Sequence, residues 1–227
     1  MREARPQSAY GVELASAWHL SAAQAAALGR HCKPLAARRG EIIARRGAPL
    51  SGVIVVSAGT VKLSLRNAEG EERVLRIVGA GQAFGEPTAL LGKPCLYDAV
   101  ALTDASLCSV PAPAIFGLLA RDKRFARFIV LALAERSYTI LSEFEAATTQ
   151  RGAQRLAGYL ESLRNGGATR VHLPVSKTVV AALLGMKKET LSRLLHQFSV
   201  EGIIGVARRD IAILDANRLA AAARSSP

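Results

Sequence analysis

Lys188, Glu189, Thr190, Leu191, Ser192 and Arg193 run consecutively in the C-terminal third of the chain. On a helix, Glu189 and Arg193 stand one turn apart beside Lys188 and Ser192. Arg193 can donate two hydrogen bonds to guanine O6 and N7, and Glu189 can accept one from cytosine N4. A carboxylate facing a polyanion is costly unless it reads a base, so this mixture of signs suits base reading by Glu189, Ser192 and Arg193. A glutamate in a first helical turn also suits the macrodipole, and a capping role beside a solvated charge pair is the alternative. Lys177, Lys188, Arg208 and Arg209 have the chemistry of phosphate contacts, which fix register without reading sequence. Ser176, Thr190 and His196 are further candidates for contact with the DNA backbone.

These residues need two helices and a tight turn. Ser176 is placed to cap a first helix from Lys177 to Leu184, Gly185 turns the chain, and a second helix runs from Lys188 to about Val200. Val179, Ala182, Leu183, Leu191, Leu194, Leu195 and Phe198 can close a small core between them. Gly202 ends the second helix, and Ile203 to Leu214 reads as a hairpin with Arg208, Arg209 and Asp210 at its tip. Upstream stand a helix from Gly152 to Leu163, a polar turn at Asn165-Gly166-Gly167 and a strand at Val171-His172-Leu173. The order is that of a winged helix-turn-helix, whose second helix enters the major groove.

Between Gly40 and Val110 the pattern is different. Glu41-Ile42-Ile43, Val53-Ile54-Val55-Val56, Val61 to Leu65 and Val74 to Val78 are short, rich in Val and Ile, and separated by Gly40, Gly47, Gly59, Gly70, Gly79 and Gly81. This predicts an antiparallel β-roll, with Asn67 to Gly70 and Glu71-Glu72 at a polar hairpin tip. The segment with Leu14, Trp18, Leu20 and the alanines up to Leu28 predicts two short helices packed on the roll. Phe125 to Ala147 contains neither Gly nor Pro. There Val130, Leu133, Ser137, Ile140, Phe144 and Ala147 recur at steps of three and four, the seam of a two-stranded coiled coil, although a buried core helix would give a similar stripe. The expected fold is α+β: a sensor roll with flanking helices over 1–118, a dimerisation helix over 119–148 and a winged DNA-binding domain over 149–227.

Composition agrees with a polyanion partner. The 227 residues carry a net charge of +12, and half of them are apolar, enough to build a core. Thr148 divides 18 basic and 13 acidic residues from 12 basic and 5 acidic ones in the shorter C-terminal part. Such asymmetry is a footprint of phosphate binding, although an arginine-rich genome would also supply it. The longest apolar run, Phe128 to Ala134, is too short to cross a bilayer. Arg2, Glu3, Arg5 and Gln7 leave no room for a secretion signal, so a cytoplasmic protein without a membrane partner is expected. Cys32, Cys95 and Cys108 are odd in number and lie at no CxxC spacing, so neither a disulfide framework nor a zinc knuckle is suggested. No nucleophile, base and acid form a recognisable constellation, and an enzyme is not expected.

The order of roll, long helix and winged motif resembles the CRP/FNR family of bacterial transcription regulators over nearly the whole chain. Gly40-Glu41-Ile42-Ile43 with Gly47, Gly59-Thr60-Val61-Lys62-Leu63, Gly81-Gln82-Ala83-Phe84-Gly85-Glu86 and Lys188 to Arg193 carry the resemblance. Glu189, Ser192 and Arg193 are similar to the FNR branch, which implies a homodimer on a palindrome with TTGAT-like half-sites, acting with RNA polymerase as an activator. Leu173 to Lys177, Glu201 to Ile204 and Ile211 to Asp215 look most like the DNR-type denitrification regulators, which implies a haem-mediated response to NO.

The resemblance places the effector pocket at Phe84, Gly85, Glu86, Leu96 and Tyr97. Cyclic-AMP-binding members carry an arginine followed by serine or threonine where Leu96 and Tyr97 stand, so cyclic AMP is not expected. No cysteine precedes Cys32, and the ligand set of an FNR iron-sulfur cluster is missing. His19, His31, Cys32, Cys95 and Cys108 are candidate haem ligands. Cys32, close to Arg30, His31 and Lys33, has basic company that favours a thiolate, so a thiol-redox response is the alternative to haem. A regulatory subunit binding a nucleotide-like ligand is a second alternative, which the winged motif opposes.

Overall fold

Strand β3 (Val53–Ala58) shows why the roll forms where it does. Successive side chains of a strand point to opposite faces, and here both faces are covered. Ile54 and Val56 point into the roll with Val61, Leu63, Val78, Phe84 and Leu107, while Val53 and Val55 point outward under two helices with Leu14, Trp18, Leu28, Cys108 and Val110. The run Val53-Ile54-Val55-Val56 is therefore apolar without alternation. Each such side chain contributes about 1.5–3 kcal/mol of burial.

The structure is a computed structural model that describes residues 11–164 and 167–224. Arg2, Glu3, Arg5, Gln7, Asn165 and Gly166 lie outside the described residues. The chain divides into two units, Met1–Arg136 and Ser137–Pro227; the first contains the roll and the second the winged domain.

In the first unit, α1 (Gly11–Trp18) and α2 (Ala22–Gly29) precede eight strands: β1 (Lys33–Ala37), β2 (Ile42–Ala44), β3, β4 (Val61–Arg66), β5 (Glu72–Val78), β6 (Ala83–Phe84), β7 (Asp98–Ala101) and β8 (Ala105–Val110). They form two antiparallel sheets in the orders β1-β8-β3-β6 and β2-β7-β4-β5. Helix α3 (Glu86–Leu91) lies between β6 and β7, and α4 (Ala112–Arg121) follows β8. The expected roll and opening helices are thus present. Glu72, expected at a water-facing tip, instead pairs with Arg66 in the ladder and accepts from Lys62 Nζ at 2.6 Å and from Ser64 Oγ at 2.9 Å. The tip is closed by Asn67, whose Oδ1 accepts from the Glu71 amide at 2.8 Å.

One pair of cysteines meets although their spacing suggests no disulfide framework. Cys32 and Cys108 are joined across 76 residues with their Cα atoms 5.8 Å apart. Their spacing in sequence conceals this, because β1 folds back onto β8 and pairs Pro34 with Cys108.

Helix α5 (Lys123–Thr149) is the expected long helix. Asp122 starts it by accepting from the amides of Arg124 and Phe125 at 2.9 and 3.0 Å. Phe125 is buried among the α1–α2 residues, Trp18 included. The boundary between the two units falls within α5 rather than at either of its ends.

The second unit continues with α6 (Gly152–Leu163), β9 (Arg170–His172), α7 (Lys177–Leu183), α8 (Lys188–Val200), β10 (Ile204–Ala207), β11 (Asp210–Ile213) and α9 (Ala216–Arg224). The three strands form one antiparallel sheet in the order β10-β11-β9. Two details depart from the sequence reading. Helix α7 buries Val180 and Ala181, with Leu184 just after it, rather than Val179, Ala182 and Leu183, which are not fully buried. The unbroken apolar run Val179 to Leu184 offers either face, and the turn that follows decides between them. Asp210 belongs to β11 and pairs with Ala207, so the wing tip is Arg208-Arg209 alone. Helix α9 has a cap that the sequence shows in retrospect, the Asp215 carboxylate accepting from the Arg218 amide at 2.9 Å.

Candidate nucleic-acid interface and sensor site

Helix α8 sorts its residues by side. Leu191, Leu195 and Phe198 are buried and Leu194 is half-buried, whereas Lys188, Glu189, Ser192, Arg193 and His196 are exposed and Thr190 is half-buried. The predicted reading residues therefore share one open face at its N-terminal half. Among the described residues, the side chains of Glu189 and Arg193 make no ion pair or hydrogen bond, with each other or elsewhere, and both remain available to a base edge.

The turn before α8 is built to hold that helix. Gly185 takes a positive φ of 63°, which lets the Met186 amide donate to the Ala181 carbonyl at 3.0 Å. Arg155 of α6 donates from Nε to the Leu184 carbonyl at 2.9 Å, and its Nη1 donates to the carbonyl of Gln150. One guanidinium thus joins the end of α7 to the junction after α5. Gly152 sits under Leu194 and Met186, where an added Cβ would stand 3.4 and 3.6 Å from their methyl ends. The sequence reading missed Arg155. Its signal was an arginine beside the buried Leu156 and Ala157 with no acid three or four residues away, which leaves only a tertiary partner.

Ser176 Oγ accepts from the Val179 amide at 3.4 Å, the expected cap. Lys177 is half-buried beside it at the start of α7. Arg208 is exposed at the wing tip with a φ of 55°, a left-handed conformation that favours glycine. Arg209, expected on phosphate, is exposed and is also engaged within the wing, where its Nε and Nη2 donate to the Leu173 carbonyl at 2.9 and 2.6 Å. The Leu173 amide returns a bond to the Arg209 carbonyl at 2.9 Å. Its Nη1 and the second Nη2 hydrogen remain for a phosphate. At the base of the wing, His172 Nδ1 and Asp210 Oδ1 are 2.7 Å apart.

In the roll, the expected effector residues differ in their surroundings. Phe84 is a core residue. Gly85, with a φ of 90°, caps α3, and an added Cβ would stand 2.4 Å from a Leu50 methyl, so its role is backbone geometry. Leu96 is 69% exposed. Glu86 and Tyr97 are close enough to influence one another electrostatically. Burial holds the Glu86 carboxyl above its ordinary range, opposed by its own backbone amide, Arg76 and Arg136. Burial likewise raises the Tyr97 hydroxyl, helped by Cys95 and Glu86. Arg76 and Arg136 were missed. Arg76 was visible as a charge inside the apolar strand Val74 to Val78, where its Nη1 donates to the Ala83 carbonyl at 3.0 Å.

The haem candidates do not converge. Cys32 and Cys108 are bonded to each other, Cys95 is buried and donates to the Tyr97 carbonyl at 3.2 Å, and His19 and His31 are exposed, His19 against the Phe128 ring. A cavity of about 660 Å³ opens beside Ala36 to Arg38, Glu41, Ala58 and Asp104 to Ser106, and none of these ligands lines it. These residues do not fit a haem. The cavity's own carboxylates are engaged: Glu41 accepts from the Arg38 amide at 2.7 Å and Asp104 from the Arg39 amide at 3.0 Å.

The stripe on α5 is exposed. Val130 is 65% exposed and Phe144 67%, and Leu133, Ser137, Ile140 and Ala147 are also exposed, with Leu131, Tyr138 and Leu141 widening the apolar face. Among the described residues no helix is long and apolar enough to cross a membrane.

Comparison with known proteins matches these two regions separately. A protein-family model for the cyclic nucleotide-binding domain matches residues 34–122, and one for the Crp-like helix-turn-helix domain matches residues 154–222. The chain is 26% identical over 205 residues to a CRP-like cAMP-activated global transcriptional regulator of Mycobacterium tuberculosis, covering 88% of this chain and 92% of that one. A solved transcriptional regulator of the CRP/FNR family from Thermus thermophilus is 26% identical with a TM-score of 0.68, over 86% of this chain and 100% of that one. FixK2 from Bradyrhizobium japonicum shares the fold at 22% identity, with a TM-score of 0.75 over 86% of this chain and 99% of that one.

Proposed function

We propose that this chain is a transcription regulator of the CRP/FNR type, acting as a homodimer on a palindrome with TTGAT-like half-sites and switched by a signal received at the roll. The observation that carries the reading is the open face of α8, where Glu189, Ser192 and Arg193 are exposed and uncommitted. Arg193 serves guanine, Glu189 its paired cytosine and Ser192 the neighbouring thymine end. Lys188, Lys177 and Arg208 hold phosphates on either side. The exposed apolar face of α5 supports the dimer, because an apolar strip of that length is unfavourable in water and matches a second copy of itself. Two recognition helices then sit one helical turn, about 34 Å, apart. At a promoter the bound dimer would act through RNA polymerase.

The signal shifts the population between two arrangements of the short break between α5 and α6. Only Gln150 and Arg151 separate these helices. A cyclic nucleotide is disfavoured as the effector by the apolar Leu96, which offers a cyclic phosphate no counter-charge. Haem-linked sensing rests on the DNR-type motifs alone. The thiol-redox reading has a specific observation behind it, the joined Cys32 and Cys108.

Fluorescence anisotropy of the full-length protein on a TTGAT palindrome tests the reading. Tight binding that is lost when five base pairs are inserted between the half-sites supports it, because the insertion turns the second site to the opposite face of the duplex. Equal binding to both duplexes would refute it.

A further inference from the structure

Both sulfurs of the joined pair are fully buried, beneath Leu14, Trp18 and Leu28 of the opening helices. Cys108 lies in the inner strand β8, in register with Pro34 of β1 on one side and Val55 of β3 on the other. Cys32 is the last residue before β1, and its amide donates to the Gly29 carbonyl at the end of α2 at 3.1 Å. The bond therefore fastens the exit of α2 to the middle of a sheet.

At its other end α2 reaches the start of the long helix. Gln24 Nε2 donates to Asp122, and Asp122 is the side chain that accepts from the first amides of α5. The residues beside the opening helices repeat the link, Trp18 against Phe125 with ring centroids 6.3 Å apart and His19 against Phe128 at 5.4 Å. A sulfur bond at one end of α2 and a helix cap at the other are thus one mechanical unit, within a single folded unit of the chain.

We propose that Cys32 and Cys108 are a reversible dithiol–disulfide couple that serves as the redox input of this regulator, α2 carrying its state to the cap of α5. The inference rests on the reading of the chain as a DNA-binding regulator. A protein that works on chromosomal DNA meets a thiol-reducing interior, where disulfides respond to redox conditions rather than persist. The oxidant is a low-molecular-weight disulfide of the glutathione class. When α1 and α2 lift locally, Cys32 leaves with them and its thiolate attacks one sulfur of the oxidant, releasing one thiol and forming a mixed disulfide. Cys108 then attacks the Cys32 sulfur, the second thiol leaves, and the Cys32–Cys108 bond is complete. Two thiols of the protein lose two electrons and two protons, and one small disulfide becomes two thiols. A dithiol reductant reverses the sequence.

The test equilibrates the full-length protein in glutathione buffers from fully reduced to fully oxidised. Each sample is divided between alkylation with peptide mass spectrometry and anisotropy on the palindrome. The linked Cys32–Cys108 peptide is expected to appear with a single midpoint, and DNA affinity to change about tenfold at that same midpoint. Cys32→Ser and Cys108→Ala are each expected to hold the affinity constant across the series, two variants guarding against a folding failure in one. A pair that never changes state across the series, or that changes state while affinity stays flat, would overturn the proposal and leave the regulator reading standing. Absence of specific DNA binding at every ratio would overturn both.

Discussion

Arg155 Nε lies 2.9 Å from the Leu184 carbonyl, and the same guanidinium reaches the carbonyl of Gln150. One side chain thus satisfies the end of the first helix of the DNA-reading motif and the end of the junction behind the long helix. Arg155→Ala leaves both carbonyls without this partner and is expected to cost about 1–3 kcal/mol of winged-domain stability. Urea unfolding followed by circular dichroism checks this. Arg155→Lys is expected to recover only part of the loss, since an ammonium cannot present the guanidinium's fork to two carbonyls.

Arg208 at the wing tip occupies a left-handed conformation with a φ of 55°. Arg208→Gly removes that strain and is expected to stabilise the protein by about 1 kcal/mol. It also removes a phosphate contact, so affinity should fall alike on matched and mismatched duplexes while the melting temperature rises. Calorimetry and a salt-titrated anisotropy series read the two effects separately, the second as a shallower salt slope.

Two carboxylates of the roll should respond to pH with opposite signs. Burial of Glu72 would raise its pKa, but hydrogen bonds from Lys62 and Ser64 and the charges of Lys62 and Arg66 outweigh it, and the net shift is downward. A depressed folded pKa gives stability that is present above the unfolded value of 4.5 and is lost as pH falls through the folded value. Glu86 is shifted upward, mainly by burial, so its contribution worsens as pH rises from 4.5 through its folded value. Glu72→Gln should therefore lower the melting temperature at pH 7 and flatten the acid limb, and Glu86→Gln should raise it at pH 7. Thermal melts from pH 3 to pH 8 test both signs.

Phe144 is 67% exposed on the apolar face of α5. Phe144→Glu sets two carboxylates against each other across a dimer axis while leaving the fold of each chain intact. Light scattering should report a monomer, and affinity for the palindrome should fall to that for a single half-site. A dimer of unchanged mass would place the seam elsewhere.

The sequence disclosed most where one residue's role depends on its neighbours in the chain. Gly185 and Gly202, Ser176 as a cap and the polar face of α8 were legible because a turn, a cap and a helical face are local objects. The buried face of α7 was not, since Val179 to Leu184 is apolar throughout and tertiary packing chooses the side. Cys32 and Cys108 lie 76 residues apart, and only the return of β1 along β8 brings them together. Arg155 and Arg209 each donate to a backbone carbonyl that no local pattern reveals. Charge type was readable at these positions, and its use depended on which carbonyl the fold delivered. Phe84 and Gly85, expected at the effector site, also serve packing and turn geometry, roles that a family motif does not separate from ligand contact.

Everything proposed for the winged domain depends on α8 reading bases through Arg193. Anisotropy of Arg193→Ala and of the unaltered protein, on a TTGAT palindrome and on one with its guanines replaced, measures this. The substitution is expected to cost about 1–3 kcal/mol on the matched duplex and little on the altered one, so that discrimination collapses. Equal losses on both duplexes would refute base reading and leave Arg193 as a phosphate contact.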